Sequence, residues 1–206
     1  MTIATTNAAR KLHWNYFLAL ESDMERVSRY VEFCDANFDV FSIELARLLF
    51  AAASEVDVVA KLLCELLDPP APRGNINEYR MVLTRALPEL SSTKVFVPRY
   101  GLWFEPWSSW AIGTDNPPWW RSYNQVKHAR DAHFHEATLT NALQALGGLM
   151  ILTFYLYGHS LAVPPAKCLA PKEVTYALQP ASSLLRFDGS YYYTNLIVGG
   201  RLGNAV

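Results

Sequence analysis

The chain has 206 residues, of which 51% are hydrophobic and 18% charged. That balance supplies a sizeable core and excludes wholesale disorder, and the length suits one domain with a small appendage. The formal net charge of −1 excludes a generally basic nucleic-acid binder and leaves room only for a local basic patch.

Cys34, Cys64 and Cys168 are odd in number and far apart. They show no metal-ligand spacing, so reduced thiols in a cytoplasmic protein are expected. Residues 1–10 are polar and small, without the apolar stretch of a signal peptide. The longest apolar run, 145–157, is short for a bilayer and reads as a buried helix, so no membrane association is expected. There is no Gly-rich phosphate loop, and no cofactor is expected.

In chain order, residues 1–12 read as a flexible tail, 13–160 as a helical bundle and 161–206 as a C-terminal extension. A first amphipathic helix is predicted over 14–35. Phe17, Leu20, Met24, Val27 and Val31 form its apolar stripe, and Glu21, Glu25, Arg26, Arg29 and Glu32 take other faces. A second helix spans 41–67, with Ser42 as cap and Asp68-Pro69-Pro70 as stop. Leu45, Leu49, Ala52, Val56, Val59, Leu63 and Leu66 step along it by threes and fours. Residues 71–116 read as an insertion holding a short helix over 77–87. An aromatic hairpin or ordered loop follows over 94–110, either a lid or a packed flap.

A third helix opens at Pro117-Pro118, with Asn116 as N-cap, and is expected to run to His133 or His135. The fourth, over 137–158, carries Leu139, Leu143, Leu146, Met150, Phe154 and Tyr157 and is apolar on most faces. Its Gly147-Gly148 pair is tolerable where another helix crosses closely, since each glycine costs about 1 kcal/mol against alanine. Residues 184–187 and 191–194 around Asp188-Gly189 read as a β-hairpin. The expected fold is therefore all-α: a four- to five-helix bundle with a loop or hairpin insertion and a small C-terminal β-hairpin.

Chemistry concentrates on the third helix. At about 100° per residue, Trp119, Tyr123 and Val126 fall on one face. Arg121, Asn124, Gln125, His128 and Asp131 fall on the other, with Lys127 to one side. This set suits metal-independent cleavage of RNA. An imidazole moves the proton of a ribose 2′-hydroxyl or a leaving 5′-oxygen. A guanidinium grips two phosphate oxygens and stabilises charge building on phosphorus. Asn124 would orient the imidazole or bind phosphate, and Lys127 would hold the backbone. Arg130 and His135 are also suitably spaced, but on a continuous helix they stand about 140° apart.

On the second helix, Glu55 and Asp57 lie at the two edges of the apolar stripe, with Lys61 one turn beyond Asp57. They are expected to position the third-helix residues, through buried Glu55–Arg121 or Asp57–Lys127 bridges. His133, His135 and Glu136 are the weaker metal-binding alternative; His13 and His159 read as lone surface or capping residues.

The run Arg121-Ser122-Tyr123-Asn124-Gln125-Val126-Lys127-His128, late in a helical bundle, resembles the Arg-x4-6-His motif of HEPN domains. Its Tyr-Asn-x-Val-Lys-His core, together with Ser54-Glu55-Val56-Asp57, looks like the bacterial stand-alone branch. The resemblance covers residues 14–158. It implies a homodimer whose two motifs face one another across a composite cleft. It also implies a metal-independent endoribonuclease of a toxin–antitoxin, anti-phage or RNA-processing system. Arg121 and His128 would be catalytic and Asn124 supporting, with RNA as substrate and an antitoxin-like protein as a further partner. Ser122 departs from the polar residue commonly found directly after the arginine. The alternative expectation is a non-catalytic bundle that binds a nucleotide, RNA or partner protein through the same face.

Overall fold

The computed structural model describes residues 10–111, 113 and 115–189. It is mostly helical, with a small three-stranded antiparallel sheet. The helices are α1 (Leu12–Val27), α2 (Ile43–Leu67), α3 (Ile76–Ala86), α4 (Pro118–His128), α5 (Arg130–His133), α6 (Leu139–Ser160) and α7 (Pro171–Ala177). The strands are β1 (Val95–Val97), β2 (Leu102–Phe104) and β3 (Arg186–Phe187), in the order β2-β1-β3.

α6 is the axis. It is apolar all round, and α2, α1, α4 and α7 pack on it. It is long and apolar enough to cross a membrane, yet most of it is buried inside the protein. Thr138, rather than Ala137, begins it; its hydroxyl accepts from Asn141 N–H. Gly147 and Gly148 admit aromatic rings from the 94–110 segment and α4, not a crossing helix. A Cβ on Gly147 would stand 2.5 Å from Phe104 Cε2, and one on Gly148 3.2 Å from Trp119 Cζ2. The aromatic segment is thus a packed element: Trp107 is wholly buried, and residues across 71–116 join the same core as the bundle. Gly101, at φ 64°, makes the β1–β2 turn that a side chain would strain.

α2 forms as read. Ser42 Oγ accepts from Leu45 N–H, and the stripe from Leu45 to Leu63 is buried. Leu66 is instead 49% exposed. A strict seven-residue repeat drifts about 20° per heptad on a straight helix, so by the third heptad it has left the core face.

α1 ends at Val27, well before 35, where the Ser28 hydroxyl donates to the Glu25 carbonyl and the last turn tightens. Glu21 is not on an outer face. It is 1% exposed, and its carboxylate accepts from the backbone N–H groups of Ser183 (3.0 Å), Leu184 (3.0 Å) and Leu185 (2.8 Å) and from the Ser182 hydroxyl. Trp14 Nε1 donates to Pro180 O nearby. The C-terminal extension is thereby tied to α1, and β3 is delivered to β1, with Val95 opposite Phe187. Within the described residues β3 pairs with β1; the second arm expected at 191–194 lies outside them.

Two predictions follow from burial. Glu21→Ala leaves several enclosed N–H groups unpaired and is expected to cost about 2–4 kcal/mol in denaturant unfolding. Cys64 is fully buried, and burial pushes its thiol up to about 11. It should resist a thiol reagent at pH 8 in the native protein and react only on unfolding.

Candidate functional site on the fourth helix

α4 presents two faces, as its periodicity implies. Trp119, Trp120, Ser122, Tyr123 and Val126 are buried, while Arg121, Gln125, Lys127 and His128 are exposed. Trp119 anchors the helix, its indole N–H donating to Pro106 O at 2.8 Å. Asn116 does not cap it: the cap position is Pro117, and Asn116 Oδ1 is buried without a partner among the described residues. Ser122 points inward, so the position after the arginine adds nothing to the exposed face.

The helix does not run to His133. Ala129 leaves the helical region at φ −144°, ψ 60°, and the chain restarts as α5 followed by a 3₁₀ turn over Phe134–Glu136. Ala46, Val126 and Ala137 pack together behind the break, with Phe50 and Phe134 against them. Asp131 therefore leaves the Arg121–His128 face and lines a groove on the other side, with Lys127 and Arg130.

Arg121 and His128 remain two turns apart on one exposed face. Neither makes a side-chain hydrogen bond or ion pair among the described residues. Asn124 donates from Nδ2 to Trp120 O at 3.0 Å, within its own helix, so that amide hydrogen is not directed at the imidazole. Gln125 is exposed and likewise unengaged. Lys127 turns back over Tyr123: Nζ lies 5.3 Å from the ring centroid and 3.4 Å from Oη.

The second-helix acids are committed elsewhere. Glu55 Oε1 meets His13 Nδ1 at 2.6 Å, with both side chains largely buried. His13 is thus a paired residue rather than a lone one, and its backbone N–H donates to Tyr157 Oη. Asp57 takes Lys61 Nζ at 2.5 Å and the Tyr79 hydroxyl at 2.8 Å. Burial, then the Asp57 bond, pushes the Tyr79 hydroxyl's pKa well up, so it stays a donor. The Glu55–Arg121 and Asp57–Lys127 bridges do not form: His13 occupies Glu55, and Lys61 and the Tyr79 hydroxyl occupy Asp57.

His133 Nδ1 pairs with Glu136 Oε1 at 2.7 Å. No group of three or more His, Cys, Asp or Glu side chains is arranged to hold a metal ion among the described residues.

The groove is the feature sequence reasoning missed. It is an open groove of about 1070 Å³ between α1, α2, α4 and α5, and its walls include Phe50, Tyr123, Phe134, Arg47, Lys127 and Arg130. Arg121 and His128 do not line it. The signals in the sequence were the Lys127 and Arg130 cations of the expected basic patch and Phe50, a large ring one step off the α2 stripe. Comparison with protein-family models, with curated proteins and with solved structures finds no match.

With Arg121 unpaired, Arg121→Ala should change unfolding free energy by no more than about 0.5 kcal/mol. Glu55→Ala strands the enclosed His13 and should cost about 1–2 kcal/mol. The two variants compared in one set of thermal melts test this asymmetry.

Proposed function

We propose that this chain is a metal-independent endoribonuclease of HEPN type, acting through Arg121 and His128. The observation that carries the reading is their freedom. They stand together on the exposed face of α4, and no carboxylate among the described residues engages either one. In the proposed reaction an imidazole takes the proton from a ribose 2′-hydroxyl. The 2′-oxygen attacks phosphorus and the bond to the 5′-oxygen breaks. That oxygen leaves with a proton from an imidazolium, giving a 2′,3′-cyclic phosphate and a free 5′-hydroxyl. The Arg121 guanidinium stabilises the charge on phosphorus.

One such face is open to solvent. A homodimer with two faces related by a two-fold axis would enclose the phosphate and double the local positive charge. A cytoplasmic location, a role as toxin or anti-phage protein and an antitoxin-like partner belong to the same proposal.

A second reading is a non-catalytic module for RNA, a nucleotide or a protein. It is favoured by Asn124, whose amide hydrogen is spent on the Trp120 carbonyl, and by the groove, which excludes the Arg–His pair. Cleavage of mixed cellular RNA in EDTA separates the two. The expected result is product with 2′,3′-cyclic ends from wild type, and loss of at least about 100-fold in rate for His128→Ala, the scale of general acid–base catalysis. Full activity in a folded His128→Ala protein sinks the proposal; absence of product from wild type supports the binding module.

A further inference from the structure

We infer that the groove behind α4 binds a free long-chain fatty acid, its carboxylate held by Lys127 and Arg130 and its aliphatic tail laid along the groove floor. This stands apart from the cleavage proposal, since the groove excludes Arg121 and His128.

The tail is argued from apolar surface that the fold leaves uncovered. At about 1070 Å³ the groove reaches the upper end of small-ligand sites, about 300–1,000 Å³. Its floor is carbon. Ala46 packs there with Val126 and Ala137, and Phe50 and Phe134 lie against them. α2 contributes Ala46 and Ala51 where larger residues would fill the space. Ile43 and Tyr16 also line the groove, and they stand 81% and 41% exposed. Single exposed apolar side chains are ordinary, but these share one recess with the floor.

The shape of the walls suits a chain. The Phe50 and Tyr123 rings meet edge to face, 5.6 Å apart and inclined at 72°. Phe134 is held by Phe41 in the same way. Rings set at right angles make corners rather than a slot between two parallel faces. A flexible methylene chain follows such corners and buries apolar area along its whole length.

The head is argued from charge. Arg130 lies 5.2 Å over Phe50, and Lys127 lies 5.3 Å over Tyr123. Cations seated this way keep their stems on apolar surface and their charges at the lip. Neither is ion-paired among the described residues, whereas Arg47 is held by Glu44 and Asp23. Asp131 is the carboxylate in the lining and also makes no ion pair among the described residues. Set against Lys127 and Arg130, it leaves a surplus of one positive charge. That surplus matches the single charge of a carboxylate, whereas a phosphate monoester carries about 1.5 to 2 negative charges near neutral pH. A small inorganic anion would satisfy the cations and leave the floor wet. A neutral hydrocarbon would do the reverse.

Binding is measured on the full chain by displacement of a dansyl-labelled undecanoate, below the concentrations at which the acids form micelles. The competitors are the straight-chain acids from octanoate to dodecanoate, with dodecanol as the uncharged analogue. The expected result is saturable displacement that strengthens about threefold for each added methylene, the value of burying one such group. Dodecanol should compete about tenfold or more weakly than dodecanoate. Lys127→Ala and Arg130→Ala should each weaken dodecanoate about tenfold or more, the usual scale for losing a hydrogen bond to a charged group, and leave dodecanol unmoved. Ala51→Trp fills the groove and should abolish binding of both. Thermal melts establish that each variant is folded, and if Ala51→Trp is not, the two cation variants decide. Arg73→Ala, outside the groove, is the control and should bind as wild type does. Absence of displacement, no gain with chain length, dodecanol competing as well as dodecanoate, or affinity unmoved in both folded cation variants overturns the inference. None of these readouts uses RNA, so the groove assignment can fall while the cleavage proposal stands.

Discussion

α6 has no polar side, so protein must cover it on every face. α2 covers the longest part of it, and α1, α4 and α7 take others. The remaining gap, over Gly147 and Gly148, is closed by Phe104, Trp107 and Trp119. The two indoles fit only because their N–H groups find carbonyls there, Gly148 O for Trp107 and Pro106 O for Trp119. Seating Trp119 against Gly148 sets the rotation of α4. Once Trp119, Tyr123 and Val126 face inward, Arg121 and His128 must face outward. The exposed chemistry of α4 is thus a consequence of how the most apolar helix is buried.

Charge in this protein is decided by where the carboxylates are committed. A buried acid needs partners within its own neighbourhood. Glu21 finds them in the backbone of the C-terminal segment, Glu55 in His13, and Asp57 in Tyr79 and Lys61. Each of these acids is spent on holding the scaffold together. The cations of α4 and α5 are left over, which gives a nearly neutral chain a local basic surface.

That surface is split by one irregularity. At Ala129 the helix breaks, and the chain turns so that Phe134 packs on Phe41 while Arg130 and Asp131 line the groove. Arg121 and His128 stay on the other side of α4. A single continuous polar face becomes two surfaces of different character: an open one with a guanidinium and an imidazole, and a recessed one with aromatic walls and basic rims.

The sequence by itself determined α2 and the burial of α4 and α6, because their apolar stripes are local: Ser42 caps α2, Asp68-Pro69-Pro70 follows its end, and the periodicity of α4 and α6 survives into the fold, whereas the end of α1 at Val27 and the short α7 were not legible in it. It also determined which face of α4 is wet. Several decisions belonged to the tertiary structure alone. Glu21 reads as a surface acid until the C-terminal segment, more than 150 residues away, brings its N–H groups. Glu55 and Asp57 read as partners for α4 until closer groups from α1, α2 and α3 claim them. The break at Ala129 carries no glycine or proline to announce it, and the groove exists only because small residues on α2 meet large ones on α4 and beyond. Periodicity reports which way a side chain points along its own helix; which side chain it meets is a property of helices brought together from distant parts of the chain.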